Sequence, residues 1–379
     1  MTLSLKGKTV VLCSNTSWSI YNFRSGLIRY LLGNGVRVIA LAPEDEFSEN
    51  IRDIGAEFVA IDLSSDGINP IIDLKFMLRL ALELRPLTPD LVINYTIKPV
   101  IYGALVARLL RVKVMSVVPG LGSVFLGGAA LRFFVTMMYR VTQLRVRKIF
   151  LLNYDDYGFF VKERLAPSYL LDVLPGEGVD IQKFFPPKQG FIALRKSLDT
   201  KFLFVGRLIA DKGVLEFVEA ARLIRKVRAD VKFQILGYLD VKNPSAISRS
   251  LFEGWISEGV VEYLGDVSDV RPILASADVV VLPSYREGLS RSLLEAAAMG
   301  KPIISTKIAG CKEIVDHGRT GYLCTPRDVA ELQSAITTMA DLSFDERYEM
   351  GLRGREKVER EFSETKVIEK YSAVFETLM

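Results

Sequence analysis

The chain has 379 residues, 49% of them apolar and 25% charged. That is the balance of a folded protein too long for one ordinary core, so two domains are expected. A single histidine, His317, removes zinc sites and Ser-His-Asp triads, and three scattered cysteines (Cys13, Cys311, Cys324) fit a reducing compartment better than a disulfide framework. The net charge of +4 hides a segregation: Leu91 to Tyr154 holds nine basic residues and no acid, which points to an anionic partner surface.

Short apolar runs at Thr9–Leu12, Val36–Ala42, Phe58–Ile61, Leu91–Asn94, Val112–Val118 and Ile149–Leu152 read as strands. Helix-like stretches stand between them, among them Asn22–Leu32, Pro70–Leu84 and Val100–Leu110. Strands alternating with helices imply βαβ units and a parallel sheet. No secretory leader is expected, because Met1–Lys8 is short and polar. The uncharged stretch Val114–Leu131 is broken by Pro119, Gly120, Gly122, Gly127 and Gly128, so it reads as a strand and a glycine-rich loop. No transmembrane helix is expected.

Prolines and glycines between Pro175 and Gly190 mark a linker, after which a second series begins. Its strands are Phe202–Val205, Lys232–Leu236, Val260–Leu264, Val279–Leu282 and Pro302–Thr306, with helices such as Val214–Val227 and Leu289–Met299 between them. The expected architecture is two doubly wound α/β domains with a cleft between them, ligands binding at the carboxyl ends of the strands. The expected domains are 1–185 and 186–362. An amphipathic helix over 363–379 closes the chain and returns toward the first domain.

Two constellations carry chemistry. Gly206-Arg207 and Lys212-Gly213 follow a strand and precede a helix, so Arg207 and Lys212 either clamp a diphosphate or are solvated loop charges. Glu287 and Glu295 lie eight residues apart at a second strand-to-helix junction. There they either accept hydrogen bonds from vicinal sugar hydroxyls or merely decorate a helix start. The helix N-termini offer unpaired N–H groups to an anion.

Together, Gly-Arg-x4-Lys (Gly206, Arg207, Lys212) and Glu-x7-Glu (Glu287, Glu295) resemble the retaining GT-B glycosyltransferases of family 4. Gly178-Val179-Asp180, Tyr263-Leu264-Gly265, Glu313-Ile314-Val315 and Gly321-Tyr322-Leu323 add to the likeness. Ser19 to Arg24, Gly120-Leu121-Gly122-Ser123 and Asp240 with Asn243-Pro244-Ser245 are similar to a narrower CapM/PglA-like subgroup acting on polyprenyl-diphosphate-linked saccharides.

The resemblance implies that Arg207 and Lys212 hold the donor diphosphate and stabilise the charge that develops as the nucleotide leaves. It places ribose on Glu295, the transferred sugar on Glu287, and sugar or diphosphate on the backbone of Gly206, Gly288, Leu289 and Ser290. Glu287 is not expected to be a double-displacement nucleophile. No metal or cofactor is expected, the nucleotide sugar being a substrate; a UDP-N-acetylgalactosamine-type donor is favoured. GDP-mannose, a soluble acceptor, or a nucleotide-sugar-binding protein without turnover are the alternatives. Where many family members carry a histidine, this chain has Pro119. Lys98 is the substitute candidate on the acceptor side, with Asn15, Gly120 and Gly122 beside it; a solvated loop lysine is the alternative.

Ala129–Lys148 mixes large apolar residues with Arg132, Arg140, Arg145, Arg147 and Lys148. Such a helix can lie in a bilayer interface with its cations on lipid phosphates, or it can be a core helix with a charged outer face. The membrane reading also explains the missing acids. It gives a lipid-linked saccharide acceptor and an anionic inner-membrane surface as partners, and a cytoplasmic, peripherally membrane-associated location. Nucleic acid is not expected.

Overall fold

The computed structural model describes residues 5–63, 70–120, 129–186, 199–241 and 243–379. The chain divides into two units, Met1–Glu177 with Glu364–Met379, and Gly178–Ser363. Gly122 and the rest of the 121–128 loop lie outside the described residues.

In the first unit β1 (Thr9–Cys13), β2 (Arg37–Ala42), β3 (Glu57–Ala60), β4 (Leu91–Tyr95), β5 (Lys113–Val118), β6 (Lys148–Leu151) and β7 (Leu171–Val173) form one sheet, ordered β3-β2-β1-β4-β5-β6-β7. All its pairs are parallel. Its central strands are buried, β4 throughout and β1 in all but Thr9, as helices on both faces require. The helices are α1 (Ser17–Gly33), α2 (Ser48–Asp53), α3 (Pro70–Leu87), α4 (Ala104–Leu109), α5 (Ala129–Thr142) and α6 (Tyr154–Lys162).

The second unit repeats the plan. Its strands β8 (Thr200–Val205), β9 (Val231–Leu236), β10 (Glu262–Tyr263), β11 (Val279–Leu282), β12 (Ile303–Thr306) and β13 (Gly321–Cys324) are ordered β10-β9-β8-β11-β12-β13. Around them stand α7 (Val214–Arg225), α8 (Arg249–Ser257), α9 (Arg271–Ser276), α10 (Arg291–Ala298), α11 (Val329–Asp341) and α12 (Phe344–Glu361). The core is aromatic where α7 meets the sheet: Phe202 stacks on Phe233 at 5.6 Å, and Phe217 sits 5.7 Å from both Phe204 and Phe233. Each such ring, fully buried, contributes about 1.5–3 kcal/mol. A capping box at Ser343 and Glu346 starts α12.

Several expectations need correction. The first boundary falls at Glu177–Gly178, not after 185, because Val179 and Phe184 are buried in the second unit's core and Val179 bridges Ser363. The single helix expected over Val100–Leu110 opens as a π turn, Pro99–Gly103, before α4. Gly103 there lies against Asn94, whose Oδ1 would stand 2.6 Å from any added Cβ. The helical part of Ala129–Lys148 stops at Thr142, with a 3-10 turn over Gln143–Arg145, and Lys148 opens β6 instead. The strands β7 and β13 have only three and four residues, too short for a readable alternation.

The last helix, α13 (Glu364–Leu378), belongs to the first unit. Tyr371 is buried 3.3 Å from the Tyr95 hydroxyl, the Tyr30 hydroxyl donates to Ser372 Oγ at 2.8 Å, and Lys370 Nζ pairs with Asp172 at 3.3 Å. Arg24, a buried residue of α1, lies 4.0 Å over the Tyr95 ring and pairs with Glu177. Among the described residues, no helix is long and apolar enough to cross a membrane.

Candidate donor site of the second unit

The sheet reverses direction of growth between β8 and β11, which are hydrogen-bonded neighbours. In doubly wound sheets a ligand crevice opens at this switch point, outside the carboxyl ends of the strands. The loop after β8 carries Arg207 and Lys212, and the loop after β11 carries Glu287. Residues 75 positions apart in sequence thereby become neighbours.

Backbone bonds zip the two loops together. Tyr285 N donates to Asp211 O at 2.8 Å and Ser284 Oγ donates to the same oxygen at 3.1 Å. Gly213, at φ 74°, makes this approach possible: a Cβ there would stand 2.0 Å from Pro283 O. The result is an ion pair, Lys212 Nζ to Glu287 Oε1 at 2.5 Å, with side chains 19% and 9% exposed. An ammonium has three donors, so this pairing orients Lys212 and leaves N–H groups for a second anion.

Arg207 is exposed at the end of β8, and no ion pair holds its guanidinium among the described residues. Gly206 N donates to Leu236 O at 3.1 Å, fixing the start of that loop. Two helices begin at this edge. The N-cap of α7 is Gly213 and that of α10 is Ser290, and neither offers a side-chain acceptor to a backbone N–H of its helix. Uncapped N–H groups beside cations are a ready anion site.

The Glu287 loop is held from behind. Ser290 N donates to Gly310 O at 3.0 Å, and Gly310, at φ 78°, would bring a Cβ within 2.6 Å of Gly288 O. Gly288 and Leu289 are half-buried between these anchors. Cys311 lies buried nearby, its thiol pushed up first by burial and then by the Glu287 charge. Buried and un-ionised, it packs rather than reacts.

Glu295 sits in the fifth position of α10, one turn past its start, because the helix begins at Arg291. Arg291 Nε pairs with its Oε1 at 2.9 Å and Arg291 Nη1 donates to Gly178 O at 2.5 Å. Arg291 escaped the sequence reading, although an Arg four residues ahead of a Glu is a helix-pair signal. Also missed was a support beneath the loop. The Tyr285 hydroxyl donates to Glu216 Oε1 at 2.5 Å while the Arg327 guanidinium covers the Tyr285 ring at 4.5 Å. Burial and the bond to Glu216 push the Tyr285 hydroxyl up.

The remaining candidates lie elsewhere. Lys98 is not a solvated loop lysine: its ammonium is buried against Asp73 at 3.0 Å, and Tyr102 donates to the other Asp73 oxygen at 2.8 Å. Asn15 and Gly120 are half-buried in first-unit loops after β1 and β5, and Pro119 precedes Gly120. His317 Nδ1 accepts from Leu323 N at 3.0 Å, a turn-stabilising bond. Arg132 and Arg140 lie on α5 and contact Glu163, the first by an ion pair at 3.3 Å and the second through its carbonyl at 2.7 Å. Arg145 and Arg147 are exposed after it, while Lys148 pairs with Asp172 at 3.4 Å. Among the described residues no group of three or more His, Cys, Asp and Glu is placed to hold a metal ion.

Comparison with known proteins agrees with this geometry. Residues 199–341 match the family model of glycosyl transferases group 1. Over 89% of the chain the sequence is 28% identical to 90% of a Campylobacter jejuni protein, N,N'-diacetylbacillosaminyl-diphospho-undecaprenol alpha-1,3-N-acetylgalactosaminyltransferase. It is 25% identical to the capsular polysaccharide biosynthesis glycosyltransferase CapM of Staphylococcus aureus, over 81% of this chain and 82% of that one. Anabaena Alr3699/HepE, solved in complex with UDP, superposes with a TM-score of 0.79 at 16% identity, covering 98% of this chain and all of that one. Two Rossmann-like units, one bearing the glycosyl transferases group 1 domain with its paired cations and carboxylates, give this chain the GT-B fold and make it similar to the CapM/PglA-like subgroup of glycosyltransferases.

Proposed function

We propose that the chain is a retaining hexosyl- or N-acetylhexosaminyltransferase. It moves the sugar of a nucleotide sugar, a UDP-N-acetylgalactosamine-type donor being favoured, to a polyprenyl-diphosphate-linked saccharide at an anionic membrane surface. One observation carries this reading: Lys212 and Glu287 are ion-paired between two helix N-termini without side-chain caps, with Arg207 alongside. The Campylobacter relative, named for a diphospho-undecaprenol acceptor, supports the acceptor class.

In this mechanism the donor diphosphate lies on Arg207, Lys212 and the amides opening α7 and α10. The anomeric C–O bond to the diphosphate breaks, and the developing negative charge meets cations already in place, worth about 2.7–4 kcal/mol for one such donor. Glu287 accepts hydrogen bonds from the sugar and steadies Lys212; Glu295, steadied by Arg291, accepts from the ribose. The acceptor hydroxyl attacks the same face from which the diphosphate departs, and its proton passes to a leaving phosphate oxygen. With fixed cations doing the neutralising, transfer proceeds unchanged in EDTA.

The test is product stereochemistry. Incubation with an α-linked UDP-sugar and a polyprenyl-diphosphate saccharide should give an α-linked product, read by the anomeric proton coupling in NMR. A β-linked product overturns the retaining mechanism. Nucleotide binding without transfer to any acceptor supports the binding-protein reading instead.

A further inference from the structure

The layer of helices on one face of the first unit's sheet has an unusual outer surface. Both α3 and α5 pack against the Pro99–Gly103 segment, so they belong to the same layer. On α3 the inward face is apolar as expected, with Phe76, Leu80 and Leu84 buried. Its outward face is apolar too: Leu74, Leu78 and Leu82 repeat every four residues. On α5, Val135 and Tyr139 are buried while Phe133, Met137 and Val141 repeat at the same interval outside. These six outward side chains are between 44% and 68% exposed. Isolated exposed apolar residues are ordinary, but two helical rows of them on one layer are not.

Charge identifies what covers them. Exposed Lys75 and Arg79 flank the α3 row, and exposed Arg132 and Arg140 flank the α5 row. The only acids on α3 are Asp73, buried with Lys98, and Glu83, paired with Arg79 at 2.8 Å; α5 has none. Apolar rows edged by cations suit acyl chains beneath anionic headgroups, where long basic side chains reach up to the phosphates. A twofold partner made of the same face would set these cations against one another.

We propose that α3 and α5 together form a bilayer-binding face, Leu74, Leu78 and Leu82 entering the acyl boundary as well as the α5 row. The face deepens the functional reading by naming the surface that brings the enzyme to a lipid-linked acceptor, and it rests on that reading only for its purpose. An amphipathic α5 alone would leave the α3 leucines in water.

Flotation of the full chain with phosphatidylglycerol-containing vesicles tests the face without any sugar chemistry. Wild type floats at low salt and is released at high salt. Each of Leu78→Glu and Met137→Glu should lower partitioning about tenfold or more, since one leucine-sized insertion is worth ~1.5–3 kcal/mol. Leu78→Trp should float at least as well as wild type. Wild-type partitioning by Leu78→Glu, or no flotation of the wild type, overturns the face. So does a concentration-dependent dimer that Leu78→Glu dissolves. Transfer to a water-soluble short-chain acceptor should survive Leu78→Glu; a chain that floats but transfers to no acceptor loses the function above and keeps the face.

Discussion

At the carboxyl end of β1, Thr16 accepts from Ser19 N at 3.2 Å and so caps α1 from within the protein, while Ser14 Oγ lies 2.7 Å from Ser19 Oγ. At the carboxyl end of β8, the corresponding strand of a sheet with the same order, α7 begins at Gly213 with no side-chain cap. The adjacent α10 likewise lacks one, and cations and carboxylates crowd the same edge. Two units with one topology have thus placed their polar groups differently. The first satisfies its helix start with its own side chains and carries its cations on outer helices. At this edge the second leaves the starts of α7 and α10 without side-chain caps, beside Arg207 and Lys212, although α8, α11 and α12 elsewhere in the unit are capped. Topology alone does not tell the β1 and β8 edges apart; the caps at those two edges do.

The sharpest way to break this contrast is to neutralise one lysine in each unit. Lys212→Ala should cut transfer by a factor of about 10²–10³ while the fold persists, as for removal of one preorganised charge-stabilising donor. Lys98→Met should leave turnover intact and instead destabilise the first unit by about 3 kcal/mol, because Asp73 is stranded as a buried charge. Adding Asp73→Asn to Lys98→Met should recover much of that loss in denaturant unfolding. Turnover lost with stability unchanged in Lys98→Met would return Lys98 to the acceptor side.

Smaller effects sharpen the same comparison at the caps. Thr16→Ala should cost about 1 kcal/mol of stability, the usual worth of an N-cap bond. Ser290→Ala removes no cap bond and should cost well under that in the same denaturant titration. Equal losses would show that α10 is capped like any ordinary helix, and the anion reading of its N-terminus would weaken.

Much of this was legible in the residues. The alternation of strands and helices gave both sheets, and Arg207, Lys212, Glu287 and Glu295 were visible because each stands at a fixed offset from a strand end or helix start. What stayed hidden depends on contacts distant in sequence. The Tyr285–Glu216 bond and the Gly213–Pro283 approach join segments about seventy positions apart, and no periodicity reports them. Lys98 looked like a loop cation because its partner Asp73 lies on another helix. The outer row of α3 was concealed for a different reason. A helix apolar on both faces reads as a core helix, and only the packing reveals which face is outside.

The central claim is that the β8–β11 edge of the second unit binds a nucleoside diphosphate through Lys212, Arg207 and Glu295. Thermal unfolding with UDP, GDP, ADP and dTDP tests it most directly. A nucleotide at 100 times its Kd should stabilise the wild type by about 2.7 kcal/mol. The effect should be strongly reduced in Lys212→Ala and in Glu295→Ala. Stabilisation by none of the four nucleotides, or equal stabilisation of the wild type and both variants, would contradict it.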